Sequence, residues 1–161
     1  NAASPEAVVQ ISAYTSCAAY IRAARKAGYG GGFYNVSFVG TQALADELGK
    51  FGAGVVVSQV VPSPYSAGKA ISGAFADAVR RSNGAVQSNY SSMEGYIAAK
   101  VLAEGLRRSG GKGGADGLMT ALESINNMSM GGFNVNFSKA DHVASNFVEL
   151  SMLTGDGKVR V

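Results

Sequence analysis

The sequence predicts an α/β fold built on a parallel sheet, and three observations carry that prediction. Short apolar runs alternate with helix-period segments over residues 7–61, in the order strand, helix, strand, helix, strand. Glycines stand where those segments end, among them Gly28, Gly49, Gly52, Gly54, Gly84, Gly110, Gly131 and Gly155, as tight turns require. Of the 161 residues, 47% are hydrophobic and 16% charged, a globular composition long enough to enclose a core.

The first strand covers Ala7–Ile11 behind Pro5, and its apolar run marks a strand buried on both faces, as in parallel sheets. A helix follows over Ser16–Ala27, where Ala19, Tyr20, Ala23, Ala24 and Ala27 recur at helical spacing between Arg22, Arg25 and Lys26. Thr15 or Ser16 caps its start and Gly28 stops it. The second strand is Phe33–Phe38. Gly40 and Thr41 lead into a helix over Gln42–Leu48, ended by Gly49, and Val55–Val61 forms the third strand. Right-handed crossovers join parallel neighbours of this kind.

Pro62-Ser63-Pro64 interrupts the alternation, since two prolines exclude both helix and central strand. Helices then follow over Ala70–Ser82, Ser92–Ser109 and Ala115–Ile125. Ser91-Ser92-Met93-Glu94 has the form of a capping box, and Ile97, Val101, Leu102 and Leu106 make one apolar stripe. Gly110–Gly114 reads as a flexible loop. Phe133–Phe137 alternates apolar and polar residues as a half-exposed strand does. Two strands, Phe147–Leu153 and Val159–Val161, flank the turn signal Gly155-Asp156-Gly157-Lys158. The middle helices present apolar stripes without a sheet to cover, which marks the chain as part of a larger fold.

Several function classes are disfavoured by composition. The net charge is +3, from 14 basic and 11 acidic residues, and the basic residues are scattered, so no nucleic-acid-binding stripe forms. No apolar run reaches the roughly 20 residues that span a bilayer. Asn1 opens a polar stretch without a basic or apolar leader region, which reads as a cut or processed start. Cys17 is the single cysteine, so no intrachain disulfide is expected, and with His142 far away in sequence no catalytic dyad is expected either. No His/Cys/Asp spacing suggests a metal, and no cofactor is expected. Gly28-Tyr29-Gly30-Gly31-Gly32 follows a helix and precedes a strand, the reverse of a dinucleotide fingerprint. Gly110–Gly114 contains Lys112 but no following Ser or Thr, so it is not a P-loop.

An ordered series of segments points to a family. Pro5-Glu6-Ala7-Val8-Val9, Tyr14, and Ile21-Arg22-Ala23-Ala24-Arg25-Lys26-Ala27-Gly28 come first. Val36-Ser37-Phe38-Val39-Gly40 and Gly54-Val55-Val56-Val57-Ser58-Gln59-Val60-Val61-Pro62 follow. Glu94-Gly95-Tyr96-Ile97-Ala98-Ala99, Gly131-Gly132-Phe133, Phe147-Val148-Glu149-Leu150 and Asp156-Gly157 complete it. Together they resemble the C-terminal portion of the branched-chain amino-acid (Leu/Ile/Val) type of periplasmic substrate-binding proteins of ABC transporters. The resemblance implies a type I periplasmic-binding-protein-like fold, two-lobed and three-layered α/β/α, of which this chain holds only the C-terminal part. It places residues 1–61 in lobe 2, residues 62–64 at a hinge crossing, residues 65–143 in lobe 1, and residues 144–161 on the return to lobe 2 and the hinge. It also implies that the N-terminal remainder of the protein, or a complementary fragment, completes the sheets.

In this fold the ligand sits between the lobes, at the carboxyl ends of the strands. Tyr14 and Thr15, after the first strand and at a helix start, are therefore candidate ligand contacts, and the family's aromatic residue matches Tyr14. Ser37 and Phe38 follow the second strand. The amino-acid-binding members carry a carboxylate near that position to pair with the ligand ammonium, and here Ser37 is neutral. Residues 8–41 contain no Asp or Glu at all. A buried ammonium needs a compensating charge, so the expected ligand is an aromatic or aliphatic carboxylate, or an amino acid, with the neutral Ser37 shifting the balance toward ligands without an amine. Pro62, Ser63 and Tyr65 are expected at the hinge. Glu94 reads as a helix cap and His142 as a solvated surface residue.

The expected function is an extracytoplasmic, periplasmic or extracellular bacterial receptor that captures a small molecule and delivers it to ABC permease components, without catalysis. Two alternatives stand beside it: a ligand-sensing regulatory module of the same fold, and a Rossmann-like enzyme domain. The enzyme predicts a phosphate-binding βα turn or a nucleophile–base pair, and neither is present in the sequence.

Overall fold

The computed structural model describes residues 5–66 and 68–161, so the reading of the start at Asn1 lies outside the described residues. In chain order the elements are β1 (Ala7–Gln10), α1 (Tyr14–Lys26), β2 (Gly32–Val36), α2 (Thr41–Leu48), β3 (Val56–Gln59), α3 (Ala70–Arg81), α4 (Tyr90–Ser109), α5 (Gly114–Glu123), β4 (Met128–Ser129), β5 (Asn134–Val135), β6 (Glu149–Leu153) and β7 (Val159–Arg160). Short 3-10 turns occupy Ser37–Val39 and Gly49–Gly52. The chain forms two units. The first holds Asn1–Gln59, Asn89–Ser91 and Val148–Val161, and the second holds Val60–Ser88 and Ser92–Phe147.

The first unit is a five-stranded sheet in the order β1-β2-β3-β6-β7. β1, β2 and β3 run parallel, with Val8 opposite Phe33, Gln10 opposite Asn35 and Asn35 opposite Val57. β6 lies antiparallel to β3, with Gln59 opposite Glu149, and β7 returns antiparallel to β6. α1 and α2 cover one face. Their residues Cys17, Ala18, Ile21, Leu44, Ala45 and Leu48 bury against Phe33, Val55, Val57 and Leu153. Phe33 is fully buried. Tyr29 and Tyr20 meet its ring edge-on at centroid distances of 5.3 and 6.3 Å, and the Arg25 guanidinium stands 5.0 Å over it. Arg25 Nη1 also donates to the Tyr29 carbonyl at 3.2 Å. The connecting glycines are sterically forced here: Gly28 follows α1 at φ 83°, and a Cβ on Gly31 would lie 2.5 Å from the backbone carbonyl oxygen of Glu6.

The opposite face of this sheet is bare. Val9 is 71% exposed, Leu150 62% and Met152 50%. The expectation of a β1 strand buried on both faces is therefore corrected. β1 ends at Gln10, alternates exposed with half-buried residues, and pairs on one side only, so one edge and one face stay open.

The second unit packs α3 on α4, with Ile71, Phe75, Met93 and Ile97 buried and the Phe75 and Tyr96 rings 5.5 Å apart. α5 presses on α4 so closely that a Cβ at Gly105 would lie 2.6 Å from Leu122 Cδ2. Arg107 and Arg108 of α4 both grip Glu104, which lowers its carboxyl to about 2, and Arg108 Nη1 also donates to the Ser124 carbonyl at 2.8 Å. β4 and β5 form a small antiparallel pair. Ile71 N donates to Gly131 O at 3.0 Å, which ties the start of α3 to the segment between β4 and β5.

Element ends shifted where backbone geometry overrode residue preference. α1 begins at Tyr14 behind an extended Ala13, so Thr15 and Ser16 lie in its first turn and neither caps it. α4 begins at Tyr90, so Ser91 stands inside the helix and the Ser91–Glu94 capping box does not form. Ser92 instead donates its hydroxyl to the Gln87 carbonyl at 2.6 Å. β2 stops at Val36 because Ser37–Val39 tightens into a 3-10 turn, and β3 stops at Gln59, before the prolines. Only Asn134–Val135 of the Phe133–Phe137 run pairs as a strand. Asn136 N and Phe137 N bond instead to the Ala144 and Ile125 carbonyls.

This packing predicts an asymmetry between the two sheet faces. Phe33→Ala is expected to cost about 3–5 kcal/mol of stability, and Val9→Thr, on the bare face, to stay within about 0.5 kcal/mol, as measured by denaturant unfolding of this 161-residue chain.

Candidate ligand-binding edge

Parallel strands place all their carboxyl ends on one edge of the sheet, and that edge organises the candidate site. β1 ends there at Gln10 and continues through Ser12 and Ala13 into α1, which sets Tyr14 and Thr15 at the edge, both exposed. β2 ends there at Val36, and the 3-10 turn follows with Ser37 half-buried and Phe38 60% exposed. Because β1 and β2 are register neighbours, the four sequence-selected residues Tyr14, Thr15, Ser37 and Phe38 leave the sheet at adjacent positions on one edge. Pro62, Ser63 and Tyr65 belong to the second unit. There Pro62 and Ser63 are buried while Tyr65 is exposed. Tyr65 N donates to Ser63 Oγ at 3.3 Å, and Ser72 Oγ donates to the Ser63 carbonyl at 2.9 Å, which pins this irregular segment to the first turn of α3.

The same edge carries a buried polar group on the covered face that sequence reading did not select. Gln59 Nε2 donates to Thr41 Oγ1 at 2.9 Å and to Ser151 Oγ at 2.7 Å, and Ser151 Oγ donates to the Val57 carbonyl at 3.2 Å. These bonds join β3, β6 and the first residue of α2 at the carboxyl end of β3. Beside them Asn35 is only 3% exposed, and neither its Oδ1 nor its Nδ2 has a hydrogen-bond partner. Gln10 Oε1 and Gln59 Oε1 are likewise buried and unpartnered. The period-two alternation of the strands holds the missed signal. Asn35 stands two residues after Phe33, and Gln59 two after Val57, so both amides face the side of the sheet that bears the core.

The charge balance at the edge is clear. Among the described residues of the first unit the acids are Glu6, Asp46, Glu47, Glu149 and Asp156. Glu6 precedes β1, Asp46 and Glu47 end α2, and Asp156 lies in the β6–β7 turn, all away from the carboxyl edge. Glu149 heads β6 opposite Gln59 and is the one acid of that set on the edge. It arrives from 112 residues beyond Ser37 in the chain, outside the acid-free stretch of residues 8–41. Cys17 is buried in the core, its Sγ lies 3.5 Å from the Ser12 carbonyl, and burial pushes its thiol above the ordinary value.

In the second unit, an apolar groove of about 520 Å³ runs along α4, lined by Val61, Ile97, Val101, Leu102, Leu122 and Phe137. Glu94 also faces this groove, and burial raises its carboxyl above the ordinary value. His142 Nε2 lies 3.1 Å from Glu123 Oε1, a partner its sequence context did not indicate, though its side chain remains 56% exposed.

The polar group predicts a measurable coupling. Thr41→Val removes an acceptor and leaves a Gln59 N–H unpaired, so it is expected to cost about 1–3 kcal/mol. Adding Gln59→Leu is expected to recover part of that loss, and a double-mutant cycle by chemical denaturation measures the non-additivity.

A family model described as periplasmic binding protein matches residues 1–158. The chain is similar to the crystal structure of a possible leucine/isoleucine/valine-binding protein from Rhodopirellula baltica SH 1, at 29% identity and a TM-score of 0.87, covering 97% of this chain and 42% of that one. It is similar to a substrate-binding periplasmic protein from Ralstonia solanacearum, at 25% identity and a TM-score of 0.85, covering 96% of this chain and 44% of that one. A branched-chain amino acid ABC transporter structure from Thermus thermophilus with bound valine shares the fold at 16% identity and a TM-score of 0.76, covering 99% of this chain and 45% of that one. No curated protein matches. The chain thus spans less than half the length of the solved structures it matches.

Proposed function

Since the chain belongs to the periplasmic binding protein family and carries its type I fold, we propose that it is part of an extracytoplasmic solute receptor that binds a small organic ligand at the carboxyl edge of the first unit. The observation that carries this reading is the convergence of Tyr14, Thr15, Ser37 and Phe38 on that edge. Two exposed aromatic rings and the hydroxyls of Thr15 and Ser37 on one edge suit a small organic acid, offering stacking surface and hydrogen bonds. In this reading residues 1–61 and 144–161 belong to one lobe, residues 65–143 to the other, and Pro62, Ser63 and Tyr65 form the crossing about which the lobes close. Closure is a population shift, driven by contacts the ligand makes only in the closed state. A cognate ABC permease in the membrane of a bacterial cell would receive the ligand from the closed form.

The ligand class follows from charge. The solved relatives include a possible leucine/isoleucine/valine-binding protein and a structure with bound valine, ligands that carry an ammonium. Ser37 stands here where a carboxylate would serve that ammonium, and the edge's acid, Glu149, sits two strands away on β6. The neutral Ser37 favours an aromatic or aliphatic carboxylate without an amine. A thermal-shift screen of the full-length protein is expected to show melting raised by 4-methylpentanoate or benzoate more than by leucine or valine. A shift with leucine or valine and none with the acids would refute the ligand class and direct attention to Glu149.

The bare groove along α4 is assigned to the rest of the receptor, whose sheet would cover it. Leu102, 48% exposed in this chain, serves as reporter. Leu102→Glu is expected to change the stability of the 161-residue chain by under about 0.5 kcal/mol, and to destabilise the full-length protein by more than about 2 kcal/mol, read by denaturant melts of both.

A further inference from the structure

We propose that Asn83 is a site of spontaneous covalent modification, where ring closure onto the Gly84 nitrogen converts the asparagine to aspartate and isoaspartate. Asn83-Gly84 is the one Asn-Gly pair in the sequence. Succinimide closure needs a following residue whose side chain does not block the approach, and a backbone N–H free to lose its proton. Glycine meets the first need, because it has no Cβ. The turn after α3 meets the second. Ser82 N donates to the Ala78 and Val79 carbonyls, both at 3.1 Å, and Asn83 N to the Arg80 carbonyl at 3.3 Å. Ala85 N donates to the Ser82 carbonyl at 3.0 Å, and Val86 N to Ser82 Oγ at 3.1 Å. Gly84 N, in the middle of this series, has no acceptor among the described residues, and the Asn83 side chain has no partner there either. Asn83 stands at φ 50° and Gly84 at φ 87°, a left-handed pair that these two residue types tolerate. Residues 83–88 are all exposed, so solvent reaches both reacting groups.

Two further pairs are prone to the same closure, Asp116-Gly117 and Asp156-Gly157, and folding holds both. Gly117 N donates to the Gly113 carbonyl at 2.9 Å, and a Cβ on Gly117 would lie 2.0 Å from the Lys112 carbonyl oxygen, so that turn has no room to rotate. Gly157 N donates to the Thr154 carbonyl at 3.2 Å. The Thr154 hydroxyl donates to Asp156 Oδ1, and Lys158 Nζ lies 2.9 Å from Asp156 Oδ2. These partners hold the Asp156 carboxyl well below its ordinary value, in the ionised form that resists attack. At Asn83 nothing comparable intervenes. The Gly84 nitrogen gives its proton to solvent hydroxide and bonds to Asn83 Cγ. The Cγ–Nδ2 bond breaks, and Nδ2 takes a proton from water and leaves as ammonia. Water then opens the ring. Opening at Cγ gives aspartate, and opening at the backbone carbonyl gives isoaspartate, in which the chain runs through Cγ. Either product adds a negative charge two residues beyond Arg81. Isoaspartate also inserts a methylene into the turn that closes α3.

The test incubates full-length protein, folded and in denaturant, at neutral and at mildly alkaline pH. Each pair is followed by peptide mass spectrometry and by chromatographic separation of isoaspartyl peptides. The Asn83 peptide is expected to gain the mass of an NH-to-O exchange and to split into aspartyl and isoaspartyl forms, faster at the higher pH. Folding is expected to slow this conversion less than about threefold, and to slow isoaspartate formation at Asp116 and Asp156 by roughly tenfold or more, since only those two need local opening first. Asn83→Gly keeps the left-handed backbone and removes the amide, and is expected to abolish the new species. Folded protein in which Asn83 is protected as strongly as the two aspartates would overturn the proposal. Absence of conversion at Asn83 in both states would overturn it too, and so would a mass gain in this peptide that persists in Asn83→Gly.

Discussion

The burial of Phe33 beneath α1 and α2 is the interaction on which the rest of the first unit depends. Right-handed crossovers send both helices to the same side of β1, β2 and β3. Once Cys17, Ala18, Ile21, Leu44 and Leu48 close over Phe33, Val55 and Val57, the helices cannot slide along the sheet. Their N-termini are thereby held at the carboxyl edge, and everything that gives that edge chemical character follows from this placement. Tyr14 and Thr15 stand where α1 begins, Thr41 where α2 begins, and Ser37 and Phe38 in the turn between β2 and α2.

Polarity on the covered face rises toward the same edge. Near the amino ends the strands contribute Phe33 and Val55; toward the carboxyl ends they contribute Gln10, Asn35 and Gln59. Gln59 is satisfied through its nitrogen by Thr41 and Ser151, whereas Asn35 is not satisfied at all. A buried amide without partners costs stability, of the order of 1–3 kcal/mol, so the edge is less settled than the core behind it.

Much of the fold was legible along the chain. The alternation over residues 7–61, the Pro62-Ser63-Pro64 interruption and the apolar stripe through Ile97 and Val101 each report on local backbone preference, which a sequence displays directly. The family resemblance likewise rested on an ordered series of local segments, and the family match over residues 1–158 agrees with it. Helix starts were less legible. Thr15, Ser16 and Ser91 all have the chemistry of a cap, but the backbone turned one or two residues earlier in each case, so propensity named the right region and the wrong residue. The burial of β1 was misread because an apolar run states what a strand tolerates and not whether anything covers it.

By itself, the sequence determined the α/β class, the position of each element and the residues that leave the first two strands, because these depend on near neighbours in the chain. Tertiary structure alone decided which polar groups share a site. Gln59 meets Ser151 across 92 residues and Glu149 across 90, and no local pattern encodes an antiparallel return of that length. Asn35 reads in the chain as an ordinary polar residue in a strand; only the assembled unit makes it a buried amide without a partner. Strand pairing and helix cover are set by burial across long separations, and so the chemistry of the edge emerged only once the sheet was assembled.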